Sequence, residues 1–366
     1  MEKGRKNFLG LVLCLFVAAS MMLSGCGDDN GDDKKDGNLI TGGAGVYVAG
    51  SLNPTSFLED QRFTLWKDGI ATRISNNRSN ATSVFVSGND VYAVGWESAD
   101  GETFAIVSKN GVTQRLTGGY RLQADCIFVS GGDVYIAGSG HVDENAYARS
   151  AIVWKNGVAQ YLLTDSEGSY DEGATSVFVS GNDVYVVGYG YYEYYQLRYA
   201  VLWKNGVVQY LSSDYRRAIA TSVFVSGSDV YVAGQESCEA ILWKNGVAQN
   251  LDFVNQYECS GAHSVFVSGS DVYVAGFETS DVYIQGINVG YYGLFARLWK
   301  NGVAQNLTDG TARAEATSVF VSGDDVYVVG TVGYGRPIAK LWKNGDEQDL
   351  SDGTTPAQAN SVYVSR

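Results

Sequence analysis

The sequence predicts an all-β protein assembled from repeated four-stranded units. The same short segments recur in a fixed order along residues 45–366, they are rich in Val, Tyr, Phe and Ile, and Gly, Asn, Asp or Ser bounds each of them. β-Branched and aromatic residues favour strands, and the bounding residues favour turns. Such repetition at a regular spacing indicates a repeat architecture.

Four segments make up one repeat. They read SVFVSG, DVYVAG, AVLWKNG and VAQYL, with small changes from copy to copy. The segments are apolar at consecutive positions, so both faces of each strand must be covered. The Ser-Gly-x-Asp sequence after the first segment and the Asn-Gly pair after the third are typical of tight hairpins. Each repeat is therefore predicted to be a four-stranded antiparallel meander.

The number of repeats predicts a closed ring. First strands, counted from Val84, recur after 43, 50, 46, 42, 54 and 43 residues, which matches the blades of a β-propeller. The repeats begin at Gly45 with a second strand and stop at Arg366 with a first strand. We therefore predict a seven-bladed β-propeller of four-stranded antiparallel blades in residues 40–366. Its C-terminal strand would join the N-terminal partial blade, which removes exposed sheet edges.

The N-terminus predicts an export signal. Basic residues at positions 3, 5 and 6 precede an apolar run from Phe8 to Leu23, which is typical of a signal peptide in residues 1–25. Leu-Ser-Gly-Cys resembles the lipobox of bacterial lipoproteins, which implies cleavage before Cys26 and lipidation of that residue. An ordinary secretory signal with an incidental cysteine is the alternative. Residues 26–39, rich in Gly, Asp and Lys, are predicted to be a disordered acidic tether.

Charge and lipidation together predict the location. Several acyl chains anchor a protein stably to a membrane, and acidic residues behind a lipidated cysteine resemble surface-export signals of some Gram-negative lipoproteins. We expect the outer membrane at the cell surface; a periplasmic location with merely solubilising tether charges is the alternative. Loss of residues 1–25 removes one acidic and three basic groups, so the formal charge of -14 becomes -16. This charge repels nucleic acid, which we exclude as a partner.

With these features the chain resembles bacterial β-propeller lipoproteins built from SVFVSGxDVYVAG and LWKNG units. The resemblance covers residues 45–366. It implies architecture and location. It carries over no activity and no catalytic residue.

The predicted topology separates two faces of the ring. The first-to-second and third-to-fourth turns form a scaffold face that is nearly identical in every repeat. The second-to-third loops and the blade connections form a variable face, where binding usually resides. Tyr and Trp rings there suit stacking on sugars or anchoring a protein, although they could merely cap the core. The candidate ligand-binding residues are Trp96, Tyr147, Tyr192, Tyr195, Tyr291, Tyr292 and Tyr334.

One position per repeat, two residues before the first-strand Val or Ile, departs from its usual Thr in three copies. The exceptions are Asp125, His263 and Asn360, predicted near the channel mouth on the variable face. His and Asp are competent metal ligands, so a small polar or metal site is one interpretation. Neutral variation at a tolerant position is the other, because these residues come from non-adjacent blades. We predict neither a bound metal nor a cofactor.

The cysteines predict one disulfide. Cys238 and Cys259 fall on the variable face of adjacent blades, so we expect them to pair in an oxidising compartment. Cys126 replaces a Ser of its repeat and is predicted to be a buried free thiol.

These observations favour a binding or interaction module for a glycan, or for an envelope or extracellular protein. A glycan-cleaving hydrolase or lyase is the first alternative, with pairs drawn from Glu97, Glu102, Asp143 and Glu144. No Ser/His/Asp set or phosphate-binding loop appears, so no residue is predicted to be catalytic. A structural subunit of an envelope complex is the second alternative.

Overall fold

The computed structural model describes residues 40–53, 61–164, 171–192, 197–212, 216–251, 259–281 and 292–366. The chain divides into two units, Met1–Gly37 and Asn38–Arg366. The predicted signal peptide, Cys26 and the tether lie outside the described residues. The described residues form strands and turns, and none of them belongs to an apolar helix long enough to cross a bilayer.

Seven four-stranded antiparallel sheets confirm the predicted propeller. We number the blades along the chain and give the strands of each from first to fourth. Blade 1 comprises β4 (Arg78–Ser87), β5 (Asp90–Ala99), β6 (Glu102–Lys109) and β7 (Val112–Arg115). Blade 2 comprises β8 (Tyr120–Ser130), β9 (Asp133–His141), β10 (Ser150–Lys155) and β11 (Val158–Leu162). Blade 3 comprises β12 (Gly173–Ser180), β13 (Asp183–Tyr192), β14 (Leu197–Lys204) and β15 (Val207–Tyr210).

The remaining blades repeat this order. Blade 4 comprises β16 (Ala218–Ser226), β17 (Asp229–Glu236), β18 (Glu239–Lys244) and β19 (Val247–Asn250). Blade 5 comprises β20 (Ser260–Ser268), β21 (Asp271–Asp281), β22 (Tyr292–Lys300) and β23 (Val303–Asn306). Blade 6 comprises β24 (Ala314–Ser322), β25 (Asp325–Val332), β26 (Ile338–Lys343) and β27 (Asp346–Asp349). Blade 7 comprises β28 (Ala357–Ser365), β1 (Gly45–Leu52), β2 (Arg62–Lys67) and β3 (Ile70–Arg73), so both ends of the propeller meet in it.

The first strands line the centre of the ring. Each contacts the first strand of the next blade, and β28 contacts β4 to complete the circle. One aromatic side chain from each first strand stacks on its two neighbours, with ring centroids 4.7–5.0 Å apart. The seven are Phe85, Phe128, Phe178, Phe224, Phe266, Phe320 and Tyr363. The unbroken circle shows that the C-terminal strand closes the propeller, as predicted.

A β-bulge interrupts every first strand at the same repeat position, and β8 has a second irregularity between Tyr120 and Gln123. In blade 1 the register shifts between Ala81 and Ser83, which leaves Thr82 as the extra residue. The second strand carries Gly at the adjoining position because a Cβ on Gly95 would lie 1.9 Å from the carbonyl oxygen of Asn80. The Gly of each DVYVAG segment is thus required by the close approach of two backbones.

Two sets of hydrogen bonds join neighbouring blades at their first strands. In the first set, the Ser after the bulge accepts a bond from a backbone N–H of the next blade, as Ser83 Oγ does from Ile127 at 3.2 Å. In the second set, the bulge residue donates to a carbonyl of the next blade, as Thr82 Oγ1 does to Ala124 at 2.7 Å. Each set is repeated around the ring, with the exceptions described below.

The outer seams are packed by a Trp from one blade and an Ala from the preceding blade. Trp203 of blade 3, for example, is fully buried in a cluster with Ala151 of blade 2. At the seam between blades 7 and 1, a small residue replaces the Trp and a large residue replaces the Ala. Ser108 replaces the Trp and Phe63 replaces the Ala, and Phe63 is fully buried there, with Ile40 filling space beside it. The two changes compensate each other in volume.

We expect Phe63→Ala to destabilise the propeller by about 3–5 kcal/mol, because it leaves a cavity that Ser108 cannot fill. Ser108→Trp alone should overpack the seam and cost about 1–3 kcal/mol. The double variant restores the usual Trp and Ala pair, so it should recover most of the lost stability. Urea unfolding of the four proteins measures the coupling. Additive effects of the two substitutions would contradict this description of the seam.

Hydrogen bonds and ion pairs between side chains connect the strands of each hairpin on the scaffold face. In blade 1, Asn110 Nδ2 donates to Asp90 Oδ1 at 2.7 Å, and Lys109 Nζ lies 2.8 Å from Asp90 Oδ2. The bond from Lys109 holds the pKa of Asp90 below its ordinary value. Blades 2–6 repeat this arrangement with their own Asp, Lys and Asn. The repeated Asp residues therefore serve the hairpins of the scaffold face.

Candidate ligand-binding surface

The strands reach further into the variable face than the sequence suggested. The segments around Trp96 and Gln235, predicted as loops, continue β5 and β17. Their hairpins close through two-residue turns with positive φ, Asp100–Gly101 at 54° and 82° and Ser237–Cys238 at 48° and 69°. Asp-Gly favours a tight hairpin as Asn-Gly does, whereas Ser-Cys carries no such preference, so the sequence signals the first of these turns and not the second.

The predicted aromatic residues have different environments. Tyr147 is fully exposed and Tyr334 is 86% exposed. Trp96 is half-buried in β5, with the guanidinium of Arg78 5.6 Å from its ring. Tyr195 and Tyr291, and the side chains of Tyr192 and Tyr292, lie outside the described residues. A ligand-binding role for all seven stays a prediction.

Arginine side chains cover further rings on this face. Arg115 stands 3.7 Å from the centroid of Phe104, and it lies 3.5 Å from Glu97. Arg198 stands 4.4 Å from the centroid of Tyr189, and it lies 3.0 Å from Asp171. The described part of the variable face thus offers planar charged groups and aromatic rings side by side, which suits recognition of a polar ligand with flat faces.

The three unusual channel-mouth residues are the bulge residues of their blades. His263 Nδ1 lies 3.2 Å from the carbonyl oxygen of Ala316, and Asn360 Nδ2 donates to that of Ala81 at 2.7 Å. Both therefore reproduce the inter-blade bond that Thr makes elsewhere. Burial lowers the pKa of His263, which favours the neutral ring. Within the described ranges no three His, Cys, Asp or Glu side chains are grouped as metal ligands would be.

Asp125 is the exception, because a carboxylate cannot donate to the carbonyl of Ala174 in blade 3. Burial raises the pKa of Asp125 to about 6, and Arg149 opposes that rise. The next residue, Cys126, likewise replaces the Ser of the first set. Its thiol lies 4.0 Å from the carbonyl oxygen of Val177. The seam between blades 2 and 3 is thus the one where both repeated side-chain bonds are replaced.

Polar residues gather above this seam. Arg149 Nη2 donates to Gln123 Oε1 at 2.9 Å and to Ser139 Oγ at 2.8 Å. On the blade 3 side, burial raises the pKa of Tyr189, and Asp171 raises it further. Glu172 is 2% exposed, hydrogen-bonds Thr164, and has its pKa raised by burial. Ionisable groups with perturbed pKa values are concentrated where binding or catalysis often occurs. We call Gln123, Asp125, Ser139, Arg149, Tyr189 and Arg198 the seam site.

Comparisons with models of known protein families and with curated proteins give no match. The assignment of a function therefore rests on the residues of this chain.

The carboxylates named for a hydrolase or lyase have structural partners or face solvent. Glu97 accepts a bond from Ser75 at 2.7 Å and lies beside Arg115. Asp143 accepts a bond from the backbone of Asn145, and Glu102 and Glu144 are exposed.

Cys238 and Cys259 are free thiols in the structure. They lie close together, since burial and a hydrogen bond with Cys238 raise the pKa of Cys259 to about 12. Cys126 is also free, and burial raises its pKa. The disulfide between Cys238 and Cys259 stays a prediction.

We expect protein exported to an oxidising compartment to lack two thiol protons in its intact mass, and to regain them with reductant. The proximity of the two thiols supports this outcome, while the high pKa of Cys259 slows exchange of the pair. Cys238→Ser should leave the mass unchanged by reduction, and Cys126→Ser should not alter the shift. Equal masses of the wild-type protein before and after reduction would exclude the bond.

A cavity of about 640 Å³ opens at the scaffold-face mouth of the channel. Phe320 and Tyr363 of the aromatic circle and the repeated Gly88 and Gly323 turns line it, together with Arg366. Because its walls are mostly residues shared by all repeats, this cavity shows no chemistry that would select a ligand.

Sequence reasoning missed Arg149 and the inter-blade bonds. Arg149 stands five residues before Trp154, and Arg198 stands five before Trp203, so the two occupy equivalent positions in adjacent blades. Comparison of that position across the repeats could have found the pair, since the other blades carry Gln, Thr, Cys, Leu or Pro there.

Proposed function

We propose that this protein is a lipid-anchored binding module of the bacterial outer membrane, displayed at the cell surface, that recognises a glycan through its variable face. The observation that carries the proposal is the contrast between the faces. The hairpins of the scaffold face repeat one set of bonds. The variable face instead combines exposed Tyr147, half-buried Trp96 and the polar seam site.

The chemistry of the variable face supports a glycan. Sugars are bound by aromatic rings, which contact their apolar faces, and by planar polar side chains, which bond their hydroxyl groups. Rings and guanidinium groups stand together at Arg78 with Trp96 and at Arg198 with Tyr189. A β-propeller is also a rigid scaffold, so a ligand loses little affinity to ordering of the site.

A binding assay with product analysis tests the proposal. The compact unit of residues 38–366 would be run in affinity electrophoresis against a panel of neutral and acidic polysaccharides. Retardation without cleavage supports the binding module, whereas cleavage would move the assignment to a hydrolase or lyase. No retardation by any polymer would exclude glycan recognition.

A protein ligand is the second candidate, favoured by one observation. Tyr147 and Tyr334 project fully or almost fully into solvent, as anchors of a protein interface do before binding. Crosslinking on intact cells, with Tyr147→Ala and Tyr334→Ala as controls, separates the two candidates. A crosslinked partner lost in both variants would identify a protein interface.

Anchoring and surface display have their own test. Cys26→Ser should abolish labelling with a fatty-acid analogue and release the protein from membranes, because acyl chains supply the membrane affinity. Protease added to intact cells should digest the wild-type protein. Full protection from protease would instead support the periplasmic face.

A further inference from the structure

Arg149 is a partly buried cation that forms no salt bridge among the described residues, and Asp125 acts on it only at a distance. Its Nη2 bonds two neutral acceptors, and its Nε has no hydrogen-bond partner there and almost no access to solvent. The comparable Arg198 and Arg297 both pair with carboxylates, Asp171 and Glu278. Covering a charge without a directly paired opposite charge is unfavourable. An anion bound beside Arg149 would offset that cost.

Tyr189 is the residue on the blade 3 side of the seam on which the charge of Arg149 acts. Tyr189 interacts electrostatically with Asp171, Arg198, Arg149 and Asp125. The guanidinium of Arg198 lies over one face of the Tyr189 ring. The ring also packs against Gly173, where an added Cβ would lie 2.8 Å from it. Arg198 of blade 3 thus covers the Tyr189 ring, and the charge of Arg149 in blade 2 also acts on this tyrosine.

The seam also departs from the rest of the ring in its side-chain hydrogen bonds. Asp125 and Cys126 replace both side-chain bonds that the other six seams keep. In a repeat protein, a position that breaks a structural rule without a compensating contact is a candidate for a functional role. Here the two replacements are consecutive residues, and the charge of Arg149 acts on Asp125.

We infer that the seam site binds the carboxylate of an acidic sugar, a uronic acid, with Arg149 as the main anchor and Tyr189 and Arg198 beside it. A guanidinium forms charge-assisted bonds with a carboxylate that are stronger than bonds between neutral groups. The inference rests on the proposed function, from which we take that the ligand is a glycan. The preference for a carboxylate is argued from the guanidinium of Arg149.

Asp125 makes the binding dependent on pH. The charged and titratable groups that face it are Arg149 of its own blade, Tyr189 of blade 3 and the adjacent Cys126. At neutral pH an ionised Asp125 repels a second carboxylate and partly neutralises Arg149. Its pKa of about 6 means that it becomes neutral in mild acid, where a sugar carboxylate with an ordinary pKa of about 3.5 stays ionised. Affinity should therefore rise as the pH falls through about 6.

Calorimetry of residues 38–366 with oligomers of galacturonate, glucuronate and mannuronate tests the inference. The matched probes are the same oligomers after chemical reduction of their carboxyl groups. We expect the acidic oligomers of at least one type to bind about tenfold more tightly at about pH 5 than at about pH 7.5. The reduced oligomer should bind weakly at both.

The variants separate charge from folding. Arg149→Gln should weaken binding about a hundredfold, and Arg149→Lys should retain part of it. Arg336→Gln, which removes an exposed cation from the variable face of blade 6, should change nothing. Asp125→Asn should bind tightly at both pH values, so the loss of pH dependence is a readout that does not depend on the Arg149 variants being folded.

Each contrary result has a distinct meaning. Equal binding of acidic and reduced oligomers, or wild-type binding by Arg149→Gln, would overturn the acidic subsite and leave the glycan-binding function standing. Binding of neutral polysaccharides alone would do the same. Failure of every oligomer and of every polysaccharide in the panel would overturn both, and binding of polyglutamate in their place would assign the anion to an acidic polypeptide.

Discussion

Removal of β28 should abolish cooperative folding of the whole propeller. Truncation after residue 356 deletes the first strand of blade 7, including buried Val362 and the Tyr363 member of the aromatic circle. It also removes the bonds that Ser361 and Asn360 make to blade 1. We expect a loss of at least about 5 kcal/mol, comparable with the total stability of an ordinary domain. Thermal unfolding followed by circular dichroism measures it.

The control is a circularly permuted protein that keeps β28 but places it before β1. In a permuted chain, residues 357–366 precede Gly45 through a Ser-Gly-Asn-Asp hairpin like the one that joins β4 to β5. Blade 7 is then continuous, and the propeller should regain a single transition near that of the wild-type protein. Cooperative unfolding of the truncated chain at the wild-type temperature would show that ring closure contributes little, because β1 would then tolerate an open edge.

The repeat pattern was sufficient to predict the ring because every strand is copied with its own turn. The segments at Gly45 and Ser361 are incomplete alone, so only their pairing restores a blade, and β28 does pair with β1. Alternation and turn chemistry act within one repeat. They are therefore visible in a single sequence.

Contacts between repeats were not predicted, for a physical reason. The Ser and Thr bonds connect residues of neighbouring blades, and their geometry depends on a bulge that no local propensity encodes. The exchange of Phe63 and Ser108 is invisible for the same reason, since the two residues stand in different repeats. The channel-mouth residues were singled out by their departure from Thr, and in the structure two of them, His263 and Asn360, make the ordinary inter-blade bond.

Restoring the two inter-blade bonds of the seam between blades 2 and 3 should stabilise the protein. Asp125→Thr supplies a hydroxyl for the carbonyl of Ala174, and Cys126→Ser supplies an acceptor for the N–H of Val177. Each new bond is worth about 1 kcal/mol. Removal of the covered carboxylate of Asp125 increases the free energy of unfolding further. We expect a total gain of about 2–4 kcal/mol near neutral pH, measured by urea unfolding.

The seam between blades 3 and 4 provides the matched control. Here Thr175 Oγ1 donates a hydrogen bond to the carbonyl oxygen of Ala220, and the backbone N–H of Val223 donates to Ser176 Oγ. The double variant Thr175→Asp with Ser176→Cys copies the blade 2 sequence into this seam, and it should lose what the first double variant gains. If both double variants have wild-type stability, the inter-blade bonds do not hold the ring together.

The gain should also depend on pH, with a sign set by Asp125. Its pKa in the folded protein, about 6, exceeds the ordinary value of 3.8. Such a group favours folding while protonated, so its contribution is complete below about pH 4 and is lost as the pH rises through about 6. The difference between these two pKa values corresponds to about 3 kcal/mol at most, and partial exposure of the side chain reduces this to about 1–2 kcal/mol.

The free energy of unfolding of Asp125→Thr should therefore exceed that of the wild-type protein by an amount that grows between about pH 4 and pH 7. The scaffold-face Asp residues have lowered pKa values and act in the opposite direction, but they are present in both proteins and cancel in the difference. A difference that is constant with pH would mean that Asp125 titrates normally. In that case the pH dependence inferred for binding at Arg149 would fail with it, because both effects arise from the same buried carboxyl group.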